Sequence, residues 1–367
     1  YHWMVPDEDL DTGIDSEIRI GTNMTNSLHK ITKVDYVHKI ASSKGTYKTE
    51  RVYYSGHDDG DIKIEETPEH EIKNYDIVFL GVPCDYGASY RLGAKYAPRQ
   101  LREYSFWDRI YGEELYDLDH SEYLKTNDFK IADLGDVYVN PTHPNENQDA
   151  ISEKTNAIAK DSFPVICGGD HSITYGSFRG VYRAMKEKYP DYEIGIIHFD
   201  AHLDLEDEYL NMPEVWHGNV FRKLIEDGYL KGENLYSIGP RGVVGRQWVD
   251  YAKEKGVNIF TSNKVKEVGI VNIIKEIQEK NKNKKIKFYI TFDIDCLDVS
   301  YVFGTGTPQC NGLTPYEADE ALRNLGKFDI CGFDMVELNP KLDDSHSSFV
   351  IACELIYHFL AFGYIKK

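Results

Sequence analysis

Ionisable side chains directly follow an apolar run in the segment EIGIIHFDAHLD, which ends in Asp200, His202 and Asp204. Because successive side chains of a β-strand point to opposite faces, we expect three residues spaced by two to share one face at the carboxyl end of a strand. Burying three ionisable groups costs several kcal/mol unless something compensates them. These residues therefore either reach water on a loop or hold a cation.

Two further segments place ionisable residues at the ends of apolar runs. KFYITFDIDCLD repeats the same spacing with Asp293 and Asp295, and FPVICGGDHSITYGSF puts Asp170 and His171 at the opening of a predicted helix. By itself, an Asp-x-Asp pair after a strand is typical of a solvated loop or a helix cap. Three such segments at equivalent strand ends favour a shared site over coincidence.

The charges of these residues predict a binuclear metal centre. Four aspartates buried in one site cannot all stay ionised unless cations neutralise them, and two divalent ions would cancel four negative charges. Imidazole together with carboxylate suits Mn, Zn, Ni or Fe better than Ca or Mg. Two neighbouring metals need bridging carboxylates, and Asp200 and Asp293, the first acid of each segment, are the natural bridges.

Two residues outside these segments would complete a hydrolytic site. His217, in EVWHGNVFRKL, is either a histidine of a helix start or core, or a proton shuttle beside an activated water. Glu337, in CGFDMVELNP, closes the last strand candidate. Its carboxylate either caps a helix or contacts a loop, or it pairs with a planar guanidinium, which is its best bidentate partner.

The elements that must position these residues alternate along the chain from residue 76 onward. Near-continuously apolar strands separated by helices indicate a parallel sheet covered on both faces, and ligands of such sheets bind beyond the carboxyl ends of the strands. We therefore predict one α/β domain over 76–367, a three-layer αβα sandwich around a mostly parallel eight-stranded sheet. The strand candidates are DIVFLGV, FKIADLG, FPVICGG, EIGIIHF, NLYSIG, VNIF, IKFYITF and ICGFDMVEL.

The first 75 residues have a different character from the rest of the chain. They are polar and poorly periodic, with charge-rich stretches such as HDDGDIKIEETPEHEIK, yet Tyr, Val and Ile recur among them. We expect residues 1–75 to form an extension that wraps the main body or a neighbouring subunit, rather than a fully disordered tail.

Composition excludes several classes of partner. A formal net charge of −19 argues against nucleic-acid and anionic-membrane surfaces; it suits a cationic ligand, although solubility explains it equally. Six scattered cysteines without a Cys-x-x-Cys pair predict a reduced, cytoplasmic protein. No uninterrupted apolar run approaches the roughly 20 residues that span a bilayer, and we expect no membrane partner.

The motifs GGDHS, DAHLD and TFDIDCLD with GTGTP resemble the three metal-binding signatures of the ureohydrolase family, which includes arginase, agmatinase and guanidinobutyrase. The resemblance covers most of 76–367. It implies an eight-stranded parallel sheet, a di-manganese centre, assembly into trimers or hexamers, and attack of a metal-bound hydroxide on a guanidino carbon with release of urea. It further implies roles for individual residues: His171 and Asp204 at one metal, His202 and Asp295 at the other, Asp200 and Asp293 as bridges, His217 as the catalytic histidine and Glu337 as the guanidinium-binding glutamate.

Within that family the chain resembles agmatinases more than arginases. GVPCDYGASYRLGAKYAPRQLRE is similar to the agmatinase opening strand and loop, and HGNVFRKLIEDGYL to its histidine helix. IGPRG stands where arginases continue with acidic residues, and the Asn- and Ser-bearing arginase loop has no match after Asp204. We therefore expect an agmatine-like cation as substrate.

Departures from the family pattern leave other substrates open. Val299 and Phe303 stand where prolines are usual, QCNG replaces Pro-Gly-Gly, and Leu203 replaces a small or hydroxyl residue. The loop 299–311, which carries Tyr301 and Phe303, should line a reshaped and smaller pocket mouth. Unsubstituted guanidine is therefore an alternative substrate, with Ni in place of Mn as in some relatives, and guanidinobutyrate is another.

Two rival classes share this kind of sheet. Deacetylases keep one metal, so a full set of six ligands argues against them. A non-catalytic relative would be expected to have lost ligands, and none of the six is missing.

Overall fold

The computed structural model describes residues 69–104, 114–125, 130–209 and 211–364, together with the backbone of four short strands before them. These strands are β1 (Ser16–Ile20), β2 (Val34–Ile40), β3 (Tyr47–Tyr54) and β4 (Ile64–Glu66), and they pair antiparallel in that order. Most of the extension lies outside the described residues. Its wrapping or assembly role therefore stays a prediction.

A central sheet of eight strands forms the main body, as predicted, and every strand pairing in it is parallel. The strands are β5 (Ile77–Val82), β8 (Ile131–Asp136), β9 (Phe163–Gly168), β10 (Glu193–Phe199), β11 (Leu235–Ile238), β12 (Asn258–Phe260), β13 (Ile286–Asp293) and β14 (Ile330–Val336). Each of the eight apolar candidates forms one of these strands. A separate antiparallel hairpin comprises β6 (Glu114–Asp117) and β7 (Glu122–Lys125).

Helices connect most of the strands. They are α1 (Ala97–Tyr104), α2 (Pro144–Ala159), α3 (Ile173–Lys188), α4 (Val220–Glu226), α5 (Arg246–Lys255), α6 (Ser262–Val268), α7 (Ile270–Asn281), α8 (Pro315–Asn324) and α9 (Ser347–His358). The start of α8 has a complete capping box, in which Thr314 and Glu317 each accept a hydrogen bond from the backbone of the other. This capping box explains why α8 begins at Pro315.

The central strand β13 shows why the sheet must be covered on both faces. All eight of its residues are buried. Phe288, Ile290 and Phe292 pack in one apolar cluster with residues of α7, α8 and α9, whereas Tyr289 packs in a second cluster with residues of α3 and α4. Alternate side chains thus enter opposite helical layers, as expected for a three-layer sandwich.

The C-terminal helical segment is the most apolar in the described chain. Ser347–Tyr364, which joins α9 to a π-helical turn, has a mean hydropathy of 1.3 over 18 residues, a length and composition that membrane-spanning helices share. However, 61% of the segment is buried inside the domain, and Phe349 and Phe359 are fully buried. We interpret it as a core helix.

Candidate active site

Four adjacent strands bring the candidate residues to one edge of the sheet. The sheet order is β12-β11-β10-β13-β14-β9-β5-β8. Asp200 follows β10, Asp293 ends β13, Glu337 follows β14, and Asp170 lies two residues beyond β9. Because these strands are parallel neighbours, their carboxyl ends meet. At Gly169 an added Cβ would lie 1.6 Å from the carbonyl oxygen of Cys84, so only glycine allows the loop after β9 to approach so closely.

A first group of possible ligands surrounds the His171 ring. Its Nδ1 lies 3.0 Å from Asp200 Oδ2, 3.0 Å from Asp204 Oδ2 and 3.3 Å from Asp293 Oδ2. All four side chains are buried. Despite these short distances, none of the three oxygens lies in hydrogen-bond geometry with Nδ1.

A second group shares Asp200 with the first. His202 Nδ1 lies 3.2 Å from Asp200 Oδ1 and 3.3 Å from Asp295 Oδ2. Backbone donors fix both carboxylates, since the amide of His202 donates to Asp200 Oδ1 at 2.6 Å and that of Ala201 to Asp295 Oδ1 at 3.1 Å. Asp200 thus presents one oxygen to each group, which is the arrangement that a bridging carboxylate requires.

Asp293 was predicted to bridge the two groups, but only one of its carboxylate oxygens faces a group of possible ligands. Its Oδ2 faces His171, whereas its Oδ1 accepts a hydrogen bond of 2.8 Å from the amide of Asp295. In the described residues the second group therefore consists of Asp200, His202 and Asp295. Bridging by Asp293 stays a prediction.

The protonation equilibria reflect four carboxyl groups crowded together. Burial, followed by the charges of Asp295 and Asp200, raises the pKa of Asp293 well above its usual value. Burial and the charge of Asp200 raise the pKa of Asp204 to about 7. Burial also opposes the charge of Asp200, but His198 and His171 hold its pKa well below the usual value. Without cations the four groups cannot all ionise at neutral pH.

The far side of the His171 ring rests on a buried polar network. Nε2 lies 2.9 Å from Thr291 Oγ1, which lies 3.4 Å from Thr174 Oγ1. The Thr174 hydroxyl donates to Asp334 Oδ2 at 2.9 Å, and the Tyr289 hydroxyl donates to the same oxygen at 2.7 Å. This network fixes the ring plane so that Nδ1 faces the carboxylates.

A second histidine supports Asp200 and was not identified from the sequence. His198 is fully buried in β10, and its Nε2 lies 2.7 Å from Asp200 Oδ2 while its Nδ1 lies 3.0 Å from Ser237 Oγ. Burial lowers the pKa of His198, so the ring is neutral and donates from Nε2 to the carboxylate. The i, i+2 spacing from Asp200 within IHFD was the available signal.

His217 lies between Glu337 and Ser89. Its Nδ1 is 2.9 Å from Glu337 Oε1, and its Nε2 is 2.8 Å from Ser89 Oγ and 3.1 Å from the Ser89 amide. Burial opposes a charged ring, but Glu337, Asp170 and Asp204 raise the pKa of His217 to about 9. The Ser89 amide favours a neutral ring, because an N–H can only donate to an unprotonated Nε2. The Ser89 hydroxyl can serve both states of the ring.

The prediction that Asp200, His202 and Asp204 share a strand face is wrong in its geometry. Strand β10 ends at Phe199, and the three residues lie on the following loop. Asp204 adopts a left-handed backbone conformation with φ of 51°, which no strand allows. The three side chains nevertheless converge, because Asp200 and Asp204 share His171 Nδ1 at 3.0 Å and His202 Nδ1 lies 3.2 Å from Asp200 Oδ1.

Arg241, in the IGPRG motif, is buried and was not assigned a role from the sequence. It has no acidic partner among the described residues, and instead its guanidinium donates to the backbone oxygens of Gly239, Asp295, Cys296, Leu297, Gln309 and Cys310. These bonds tie the turn that carries Asp295 to the loop 299–311. A buried Arg with carbonyl acceptors alone gives no signal in sequence.

The rim of the site carries charged and aromatic side chains. Glu206 is partly buried, and burial raises its pKa while the nearby charges of His217 and His202 act against that rise. On the other side, Arg91 Nε donates to the Gly306 carbonyl at 2.9 Å. In the loop 299–311, the expected narrowing residues Tyr301 and Phe303 are 42% and 53% exposed. Both therefore stand at the surface, and a closed pocket stays a prediction.

Comparison with known proteins gives a consistent family. The arginase family profile matches residues 75–361. The mitochondrial guanidino acid hydrolase of Homo sapiens is 32% identical over 303 residues, covering 82% of this chain and 80% of that protein. The mitochondrial agmatinase of Gallus gallus is 33% identical over 287 residues, covering 78% and 80%. A solved proclavaminate amidino hydrolase from Streptomyces clavuligerus has a TM-score of 0.68 at 29% identity, covering 79% of this chain and 92% of that chain.

Proposed function

The chain belongs to the arginase family, and on that premise we propose that it is a binuclear-metal amidinohydrolase that cleaves a guanidino C–N bond and releases urea. The observation that carries the proposal is Asp200, whose two oxygens face two separate groups of carboxylates and imidazoles, all buried except the partly exposed His202. A deacetylase-like site with one metal would not need a shared carboxylate in this position.

The residues at the sheet edge fit two divalent cations. His171 Nδ1 is buried without a hydrogen bond among three carboxylate oxygens, and in the described residues no Lys or Arg pairs with any of the four aspartates. Carboxylates favour Mn, which we propose as the metal, and the two imidazoles leave Ni as the alternative. Two such ions would supply a nucleophile by lowering the pKa of a water from about 15.7 towards about 7.

Glu337 is positioned to bind the guanidinium of the substrate. Its Oε1 accepts hydrogen bonds from the His171 amide at 3.0 Å and from His217. Its Oε2 faces Gly306, where an added Cβ would lie 3.6 Å away, so this residue has no side chain that could cover the oxygen. Burial opposes ionisation, but His217 and the His171 amide keep the pKa of Glu337 below its usual value. A carboxylate ionised at neutral pH is what a cation requires.

His217 would deliver the proton that the reaction needs. When water oxygen adds to the guanidinium carbon and the C–N bond breaks, the leaving nitrogen must gain a proton to depart as an amine. The raised pKa of His217, about 9, keeps its ring protonated at neutral pH. Glu337 holds one ring nitrogen and Ser89 the other, which fixes the orientation of the ring beside the guanidinium-binding carboxylate.

Agmatine is the proposed substrate, with two alternatives. The net charge of −19 favours a cation through a long-range, salt-screened field. Guanidinobutyrate is favoured by one specific observation: Arg91, at the rim near Gly306, has no acidic partner among the residues described. Guanidine is the second alternative, and it would require the loop 299–311 to close over the site.

The test is urea release by the metal-loaded protein from agmatine, guanidinobutyrate, arginine and guanidine at one ionic strength, with the D200N variant as a matched inactive control. We expect the highest kcat/KM for agmatine and little turnover of arginine. Efficient hydrolysis of guanidine with inert agmatine would overturn the choice of substrate. If no guanidino compound releases urea, the proposed function itself is wrong.

We also propose that residues 1–75 take part in a homo-oligomer, a trimer or a hexamer, because their Tyr, Val and Ile content exceeds what a solvated tail needs. Light scattering of a chain that lacks them should show a changed mass with the metals retained, and an unchanged mass would contradict this role. The six cysteines all lie within the described residues, none of them forms a disulfide there and five are buried, which supports a reducing, cytoplasmic environment.

A further inference from the structure

One buried carboxylate at the sheet edge is not used by the proposed mechanism. Asp170 is fully buried two residues beyond β9, but it belongs to neither group of possible metal ligands in the described residues. Its Oδ1 accepts a hydrogen bond of 2.8 Å from the amide of Ser172, directly before α3, as a helix-capping carboxylate would. That bond accounts for one oxygen only, and the other oxygen faces a different part of the chain.

The second oxygen of Asp170 holds the loop that follows β5. Oδ2 accepts a hydrogen bond of 2.8 Å from the amide of Gly87, and the Asp170 amide donates to the Cys84 carbonyl at 2.9 Å. The two segments pack so closely that a Cβ added to Gly87 would lie 2.5 Å from Ser172 Oγ and 2.9 Å from Asp170 Oδ1. Asp170 therefore fixes the loop after β5 at two points, and only glycine fits at the second of them.

Gly87 connects this contact to His217. Its carbonyl accepts a hydrogen bond of 3.0 Å from the His217 amide, while its own amide is held by Asp170. Two residues later, the amide and the hydroxyl of Ser89 lie 3.1 Å and 2.8 Å from His217 Nε2. The turn thus contacts both the backbone and the ring of His217. Because Glu337 holds Nδ1 at 2.9 Å, a shift of the turn would tilt the ring relative to that carboxylate.

We propose that Asp170 is a positioning residue of the amidinohydrolase reaction, which holds the turn 87–89 against His217 and so aligns the ring beside Glu337 for proton delivery. This role depends on the proposed hydrolysis and deepens it, because it assigns a task to a carboxylate outside both metal-binding groups. The alternative is capping of α3 alone. In that case Asp170 would contribute to stability without a link to His217.

A double-mutant cycle distinguishes the two roles. D170N keeps the shape of the side chain, but its NH2 group cannot accept, so one of the two backbone amides loses its partner. The substitution is made in the wild type and in H217A. For all four proteins, kcat and KM are measured with the guanidino compound of the panel that has the highest kcat/KM, together with metal content and thermal stability.

D85N is the matched control, in the same two backgrounds. Asp85 is fully buried in the same loop, where its Oδ2 accepts a hydrogen bond of 2.8 Å from the amide of Gly93. It therefore resembles Asp170 in burial and in its glycine partner, but it holds the other end of the loop. Any loss of activity that D85N causes should be equal in the wild type and in H217A.

D170N should lower kcat about 10- to 100-fold with KM and metal content unchanged, because displacing a reacting group by about 1 Å can cost about 100-fold. In H217A the same substitution should have almost no further effect, since the group that it aligns is already absent. Equal losses in both backgrounds would overturn the proposal, as would loss of the metal ions from D170N.

A second variant tests the same contact from the other side. G87A keeps the Asp170 carboxylate but forces the turn away from it, so it should reproduce both the fall in kcat and the dependence on His217. If D170N does not fold, G87A decides alone, and an equal loss in both backgrounds would again contradict the proposal. Absence of urea release by the wild-type chain from every compound would instead refute the hydrolase function on which the proposal rests.

Discussion

Two sets of buried carboxylates, one of a single residue and one of three, lie in neighbouring parts of this fold and have different hydrogen-bond partners. Asp334, in β14, accepts hydrogen bonds at Oδ2 from the neutral hydroxyls of Thr174 and Tyr289. At the sheet edge, Asp200, Asp204 and Asp293 instead converge on the single nitrogen Nδ1 of His171, which makes no hydrogen bond. The fold supplies hydroxyl donors to Asp334. In the second set, Asp200 and Asp293 receive donors from His198 and from backbone amides, but one oxygen of each of the three aspartates faces the others around the His171 ring.

We interpret Asp334 as a structural carboxylate and the three aspartates at the sheet edge as metal ligands. Burial raises the pKa of Asp334, while the charge of His171 and the hydroxyls of Thr291, Tyr289 and Thr174 act against that rise. Neutral donors thus satisfy its Oδ2, although its Oδ1 has no hydrogen-bond partner. Mutual repulsion adds to burial for Asp293 and Asp204, and no Lys or Arg among the described residues relieves it. Divalent cations would relieve this repulsion and let the second set ionise at neutral pH. Substitutions in the two sets should therefore have different consequences.

The largest effect is expected for Asp200→Asn. The substitution keeps the shape of the side chain but removes the charge shared by both groups, so metal occupancy should fall and kcat should drop by more than about 10³-fold, beyond the loss for one electrostatic donor. Elemental analysis and urea release check both expectations. Two metals and normal turnover in this variant would remove the distinction between the two sets.

His217→Ala should have the next largest effect. The side chain contacts Glu337 and Ser89 rather than the metal-binding groups, so both metals should stay bound while kcat falls about 10²- to 10⁴-fold through loss of the proton donor. Parallel metal and rate measurements separate this outcome from that of Asp200→Asn. Wild-type turnover would show that another group supplies the proton.

Asp334→Asn should have an intermediate effect. Asp334 makes no contact with the four aspartates and is connected to the His171 ring through Thr174 and Thr291, so the variant should still bind two metals at saturation. Its metal affinity should fall about 10- to 100-fold, as is common when a supporting partner of a ligand is removed. Titration with Mn in a competition assay measures this affinity. Complete loss of metal would place Asp334 with the ligands.

The smallest effect is expected for Ser89→Ala. The hydroxyl can accept from a protonated Nε2, whereas the remaining amide favours the neutral ring, so the pKa of His217 should fall. His217 acts in its protonated form, and activity is therefore lost as pH rises through its pKa of about 9. The alkaline limb of kcat/KM should move to lower pH by about one unit in the variant. A shift to higher pH would contradict this role of the hydroxyl.

Much of this architecture is readable from the sequence, because its signals are local. The eight apolar runs correspond to the eight parallel strands, since a strand buried on both faces needs no alternation. Residues that directly follow those runs, such as Asp293 and Glu337, could be assigned to one edge from strand direction alone. The i, i+2 spacing also holds for His198 and Asp200, although only the latter was identified.

What the sequence could not provide depends on loop conformation and distant contacts. Periodicity does not reveal that β10 ends at Phe199, and the left-handed conformations of Asp204 and Glu337 have no glycine to signal them. Ser89 contacts a histidine 128 positions away. Arg241 makes only carbonyl contacts, which no complementary residue in the sequence predicts.

The central claim is that the paired groups around Asp200 hold two metal ions. The most direct measurement is the metal content per chain of purified, fully active protein, determined by elemental analysis together with protein concentration and urea release on the same sample. Titrating the metal-free protein with Mn should restore activity only as occupancy approaches two ions per chain. Full activity with one ion per chain, or with none, would contradict the account.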